Sequence, residues 1–543
     1  MKSAASPWRH WGAAAAILAA PFAVRGESTP RSPENQVFQW AVTATNEDWP
    51  EESRNTSTAH LWIPENCAKL RGLLILGANV PEHMLVGHPS IREACARQGL
   101  GIVWAVPTFW NFRKELKGQD ETQVAFLERL LQQLATVSGR AEVAAVPWFP
   151  VGESGHLLMV CGLINQRPDR CVAAICVKNP HEPANKTVPM LWTLGTAQEW
   201  GQMKKDIRES WLDAGSYPNW MKQRAENSWP LSLVVEFGTG HFYCSDAMAE
   251  YFAAYIDAAA QTRLGGDGSL RPVNLNDGVL ANLPLSPELD LAVIPYTAAT
   301  PEQRQRPWFF NESLARAAQK LSTADASAAP QFVGMEAGEG CRTEPYALNS
   351  VTKLFVKGDG VFTVRPALLD RIPDGFVAAG EPLARAEAEP LAQWICGPYA
   401  PDGPNRFRIS LDRTWTGRAA AYLILRHEGD AKTRRTVQPV HMTIERNADG
   451  APQTISFDQP ADAPAGTASV NLSARSDSGL PVSFFVSHGP ATVEGDTVKL
   501  TAVPPGAKLP VEVSVTAWQW GRASEPPVQT AKPVTRTFQL TKP

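Results

Sequence analysis

From residue 36 to 262 one pattern repeats: a short unbroken apolar run, a polar turn, then apolar residues at helical spacing. GLLILG (72–77), GIVWA (101–105), the run Cys171–Val177, VPMLWTL (188–194) and LSLVVEF (231–237) show no apolar–polar alternation. A strand with one wet face alternates, so runs like these read as strands covered on both faces. Thr58–Pro64 and Trp148–Gly152 are also strand-like. Between the strands, Ile91–Gln98 reads as a short helix, and Leu127, Leu130, Leu131 and Leu134 recur at helical spacing. Met248, Tyr251, Phe252, Tyr255 and Ile256 form the face of a closing helix. Strands each followed by a helix predict a doubly wound, mostly parallel sheet over 35–262.

The chain has 543 residues, more than one core holds. Residues 263–335, rich in Pro and Ala, read as a connector with a short helix near Glu312–Leu321. Beyond it the pattern turns to short alternating strands separated by Gly, Pro and Asp turns, which predicts β-sandwich units. KLFVKGDGVFTV (353–364), FRISLD and AAYLILRH place one β-rich unit over 336–447. A second, over 448–543, begins with TISF and contains a hairpin around VEGDTVKL. Trp518 and Trp520, two apart in AWQWGR, point to one side of a strand, either inward as core or outward as a binding face.

Residues 1–26 read as a signal peptide: Lys2, Arg9 and His10 precede the Ala-rich run from Trp11 to Val24, with small residues at Val24 and Gly26. That implies export, to the periplasm or beyond the cell, and no later segment has the length of a membrane span. The charge is close to balanced, 51 basic against 55 acidic residues, so there is no basic field for nucleic acid. The eight cysteines are scattered without zinc spacing, and Cys161 and Cys176 lie in apolar runs as buried thiols. No metal or organic cofactor is implied, and nothing bears on oligomeric state.

The chemistry concentrates in VGESGH (151–156), at a junction from strand to helix. A sharp turn there lifts Ser154 above the sheet edge as a nucleophile, and the Gly155 N–H, at a helix start, can donate to an oxyanion. His156 stands where such turns usually carry a second Gly, so its ring must point aside. GTGHF (238–242) follows the last strand and places His241 where a general base belongs. The acid is expected in GTAQEW (195–200), after the strand VPMLWTL, and Glu199 is its first carboxylate; Glu182 and Asp206 are the alternatives. Glu153 reads as a solvated or helix-start charge turned away from His241. Ala78 and Asn79, in the loop after GLLILG, are candidates for the second oxyanion donor. Phe109, Trp110 and Phe112 of PTFWNF either wall a pocket or pack the core. All these candidates lie within 27–270, a span expected to fold and act by itself.

With these motifs in the order serine, acid, histidine, residues 35–262 resemble bacterial secreted α/β-hydrolases of the esterase and polyester-depolymerase-like kind. The matching segments are LILGANV, GESGH, GTAQEW and FGTGHF. Residues 452–540 resemble bacterial immunoglobulin-like modules through QTISF, SGLPVSF and GPATVEGDT, modules that usually serve as spacers. The resemblance implies an α/β-hydrolase domain followed by Ig-like sandwiches. The reaction expected is hydrolysis of a small or polymeric carboxylic ester through an acyl-enzyme. A serine peptidase on the same fold and a non-catalytic surface binding protein are the rival readings.

Overall fold

The computed structural model describes residues 36–543 except 113–117, 119, 197–215, 267, 324–327, 344–351, 357, 375–378 and 416–419. The N-terminal part is built on eight strands: β1 (Trp40–Thr45), β2 (Thr56–Trp62), β3 (Gly72–Leu76), β4 (Leu100–Val106), β5 (Trp148–Glu153), β6 (Ala174–Val177), β7 (Met190–Gly195) and β8 (Leu231–Glu236). They form one sheet in the order β1-β2-β4-β3-β5-β6-β7-β8. β1, β2 and β4 pair antiparallel, and every pairing from β4 through β3 to β8 is parallel. Every residue of β3, β5, β6, β7 and β8 is buried, as strands covered on both faces require.

The helices are α1 (Val80–Leu85), α2 (Pro89–Gln98), α3 (Asp120–Ser138), α4 (Leu157–Gln166), α5 (Ser216–Glu226) and α6 (Asp246–Arg263). α3 buries Leu127, Leu130, Leu131 and Leu134, and α6 buries Met248, Tyr251, Phe252, Tyr255 and Ile256, the faces expected from their spacing. α1 was not foreseen: it is a short turn started by a capping box between Asn79 and Glu82 with Pro81 in its first turn.

The stretch after α6 is no loose connector. It supplies three two-residue strands, Val279–Leu280, Ile294–Pro295 and Trp308–Phe309, and the helix α7 (Glu312–Leu321), N-capped by Asn311. β8 is the last strand of the sheet, and an edge strand leaves backbone groups unpaired. This stretch meets them: the Val235 N–H donates to Ser322 Oγ (3.0 Å) and the Phe237 N–H to the Leu321 carbonyl (3.3 Å). The Ser232 hydroxyl donates to the Trp308 carbonyl at 2.6 Å. Trp308, Phe309, Leu314, Ala315 and Ala318 join the same core as the parallel sheet.

The rest is strand-rich. A four-stranded sheet (Val333–Ala337, Val361–Leu368, Arg406–Ile409, Tyr399–Pro401) faces a five-stranded one (Cys341–Thr343, Thr352–Val356, Thr436–Ile444, Ala420–His427, Leu391–Cys396). Leu354, Val356, Phe362, Phe407, Leu423 and Met442 fill the space between them. The two strands of KLFVKGDGVFTV lie in different sheets, so its Gly turn carries the chain across the core instead of closing a hairpin. In the C-terminal unit the expected hairpin is present, Ala491–Glu494 against Thr497–Leu500, with Gly495 at φ +60° in its turn. Trp518 and Trp520 are both buried, in a cluster shared with the preceding unit.

Candidate active site

β5 ends at Glu153, and the chain reverses into α4 through Ser154–His156. Ser154 adopts φ +53°, the left-handed region that an L-residue occupies only under constraint. The constraint is crowding under the turn: a Cβ on Gly152 would lie 2.7 Å from the His156 carbonyl oxygen and 2.8 Å from Val160 Cγ2. Above the turn there is room, for a Cβ on Gly155 would meet nothing within 4 Å. Ser154 is thus held on the tip of a tight elbow, next to N–H groups at the start of a helix.

His241 is buried, and its Nε2 lies 2.8 Å from Ser154 Oγ. The structure therefore brings together the two residues picked from VGESGH and GTGHF, 87 positions apart. Glu153 departs from expectation. It is fully buried, and its Oε1 lies 3.3 Å from the same Nε2, so it faces His241 and not solvent. Burial follows from its place as the last residue of a strand covered on both faces.

The candidate acids separate. Glu199 and Asp206 fall outside the described residues. Glu182 is 41% exposed and pairs with Lys186 Nζ at 2.6 Å, engaged away from the imidazole. The two loop candidates for the oxyanion also separate. The Asn79 N–H donates to Glu82 Oε2 (3.2 Å), and its side-chain amide donates to the Glu153 carbonyl (3.1 Å). Both Asn79 donors are thereby directed into the protein. Ala78 directly precedes this cap, while Gly155 follows Ser154 on the elbow.

Two buried carboxylates that sequence reasoning passed over hold the loops on either side of Ser154. The first is Glu82, with no exposed surface. Its Oε1 accepts the Glu153 N–H at 2.9 Å and stands 2.8 Å from His156 Nδ1, so it ties α1, the elbow and the His156 ring together. The ring does point aside, stacked on Phe112 at 5.1 Å. It fills the hollow over Gly77, where a Cβ would come within 2.7 Å of it. Phe109 and Trp110 are core residues, and Trp110 packs so closely on α4 that a Cβ on Gly162 would overlap its ring.

The second is Glu236, at the end of β8. Its Oε2 accepts from Lys178 Nζ (3.1 Å) and the Thr239 hydroxyl (3.1 Å), and its Oε1 from the Ser245 hydroxyl. Burial pushes this carboxyl up, but Lys178, Arg435 and the donated hydrogen bonds outweigh it and hold it below the usual range. Signals for both were present: N-x-x-E in NVPE for Glu82, and a charge closing an apolar strand for Glu236 and Lys178.

Among the described residues, no group of three or more His, Cys, Asp or Glu could hold a metal ion, and no helix is long and apolar enough to cross a membrane. All eight cysteines are described and are free thiols, with burial pushing Cys161 and Cys171 up to about 12.

No protein-family model and no curated protein matches the chain. Solved structures do. Poly(aspartic acid) hydrolase-1 from Sphingomonas sp. KT-1 is 13% identical, with a TM-score of 0.28, over 40% of this chain and 99% of that one. An S-formylglutathione hydrolase from Agrobacterium tumefaciens is 12% identical, with a TM-score of 0.28, over 41% and 95%. FphF, a fluorophosphonate-binding serine hydrolase from Staphylococcus aureus, is 10% identical, with a TM-score of 0.25, over 41% and 98%. All three neighbours are named as hydrolases, one of them as a serine hydrolase, and the likeness spans about the N-terminal 40% of the chain.

Proposed function

We propose that the protein is an exported serine hydrolase that cleaves carboxylic esters through an acyl-enzyme. The observation that carries the reading is Ser154 at φ +53° on the elbow with its Oγ 2.8 Å from the buried His241 Nε2. In this reading His241 takes the proton as Ser154 Oγ attacks the ester carbonyl, then returns it to the departing alcohol. The Gly155 N–H, with Ala78 from the opposite loop, receives the oxyanion. Glu199 is the proposed acid, orienting the imidazole and stabilising its cation. Water, activated by the same histidine, then releases the acid. Small and polymeric esters both fall within the substrate class, and no step calls on a metal or cofactor.

The test is p-nitrophenyl ester hydrolysis over several acyl lengths, with Ser154→Ala alongside. Turnover is expected to fall by about 10⁶ in the variant with the fold intact. A fluorophosphonate is expected to label wild type and not the variant. Turnover retained by Ser154→Ala would remove the assignment.

A further inference from the structure

The loop that carries His241 is bracketed by two hydroxyls on one carboxylate. Thr239, two residues before His241, and Ser245, four after it, both bond to Glu236. Lys178 Nζ reaches both Glu236 (3.1 Å) and Thr239 Oγ1 (2.8 Å) from the end of β6. The other cation comes from outside the parallel sheet. Arg435, just before the strand Thr436–Ile444, has Nη1 at 3.8 Å from Glu236 and Nε at 3.1 Å from Glu428. Its main chain lies on Gly238, where a Cβ would meet Arg435 Cβ and its carbonyl oxygen at 2.8 Å. The same face of the five-stranded sheet covers the loop further along. Phe242 packs on Tyr422 with ring centres 5.5 Å apart, and Tyr243 is buried with Ile395, Ile424 and Val437. Val80 and Met84 of α1 join that cluster, so one surface presses on both loops flanking Ser154.

We propose that this strand-rich unit is a positioning element of the esterase site, and that Arg435 is its principal positioning residue, clamping with Lys178 the Glu236 carboxylate that holds both ends of the His241 loop. The proposal rests on the hydrolase reading above. A carboxylate buried beside one cation and left by the other re-solvates or shifts, and the hydroxyls bound to it shift with it. His241 acts through a 2.8 Å contact, and a displacement on the order of 1 Å can lower turnover about 100-fold without weakening substrate binding.

The experiment uses the full chain and compares wild type, Ser154→Ala, Arg435→Met, Arg435→Lys and Thr239→Val on one soluble ester, with thermal unfolding of each. In Arg435→Met, kcat is expected to fall about 10- to 100-fold with KM changed less than about twofold. Arg435→Lys, which keeps the charge, is expected to recover most of that loss. Thr239→Val keeps every charge and nearly the shape, is expected to lower kcat in the same sense, and decides the matter should Arg435→Met not fold. A kcat at the wild-type level in folded Arg435→Met, or in Thr239→Val if that one must decide, overturns the proposal. So does a loss confined to KM, or a loss that Arg435→Lys shares in full. Wild type without turnover or fluorophosphonate labelling overturns the hydrolase reading and this proposal together. Wild-type turnover lost in Ser154→Ala but kept in Arg435→Met overturns the positioning role alone.

Discussion

Ser154 occupies a backbone conformation that its own side chain disfavours. The left-handed region costs an L-residue about 1–2 kcal/mol, a strain the packing beneath Gly152 enforces. Glycine carries no such penalty, though its freer unfolded chain offsets part of the gain. Ser154→Gly is therefore expected to be more stable than Ser154→Ala by about 1 kcal/mol, with both lacking turnover. Thermal unfolding of the two variants checks this; equal midpoints would mean that the elbow relaxes once the serine is gone. His156 shows the same dependence on surroundings. Its ring is accommodated because Gly77 leaves a hollow and Glu82 supplies an acceptor, neither adjacent to it in sequence.

At the scale of elements, the edge of β8 decides where the hydrolase part can end. A fragment stopped at 270 keeps every candidate catalytic residue but uncovers the backbone groups that Leu321 and Ser322 satisfy. It also exposes the apolar faces that Trp308, Phe309 and Leu314 cover. Such a fragment, which by sequence alone would fold and act by itself, is instead expected to aggregate, and one extended to 323 to be more soluble. Dynamic light scattering and far-UV circular dichroism on the two fragments distinguish them; a monodisperse, folded 27–270 would contradict it. The local signals were readable here. The short helix near Glu312–Leu321 is where the sequence places it, but its N-cap Asn311 and its docking on an edge strand were not read from the sequence, and the docking depends on sheet order, which no local pattern encodes.

Across the whole molecule the C-terminal unit is packed, not trailing. The Lys508 N–H donates to the Ser138 carbonyl (2.8 Å), Arg140 donates to the Pro505 carbonyl (2.7 Å), and the Gly489 N–H bonds the Phe38 carbonyl (2.9 Å). On its other side Trp520 is buried, donates its indole N–H to the Gly358 carbonyl at 3.3 Å and packs edge-on against Trp415. Trp520→Ala is accordingly expected to lower stability by about 3–5 kcal/mol, read from the denaturant midpoint. A midpoint unmoved by the substitution would return the indole to the role of a surface binding residue.

The sequence by itself determined the α/β character of the first half, the strand-rich character of the second, and the two residues most worth pairing. Each rests on near-neighbour information. Unalternating apolar runs report burial on both faces, and a serine and a histidine at the ends of two such runs lie at the same edge of a parallel sheet. Tertiary structure decided the rest. Glu153 turns toward His241 because strand β5 is covered on both faces, and Asn79 turns its donors inward because α1 begins there. Glu236 and Arg435 meet across two units nearly 200 positions apart. A buried charge is recognisable in sequence as an oddity in an apolar run, but its partner is chosen by the fold, since only the packed chain brings the compensating charge within reach.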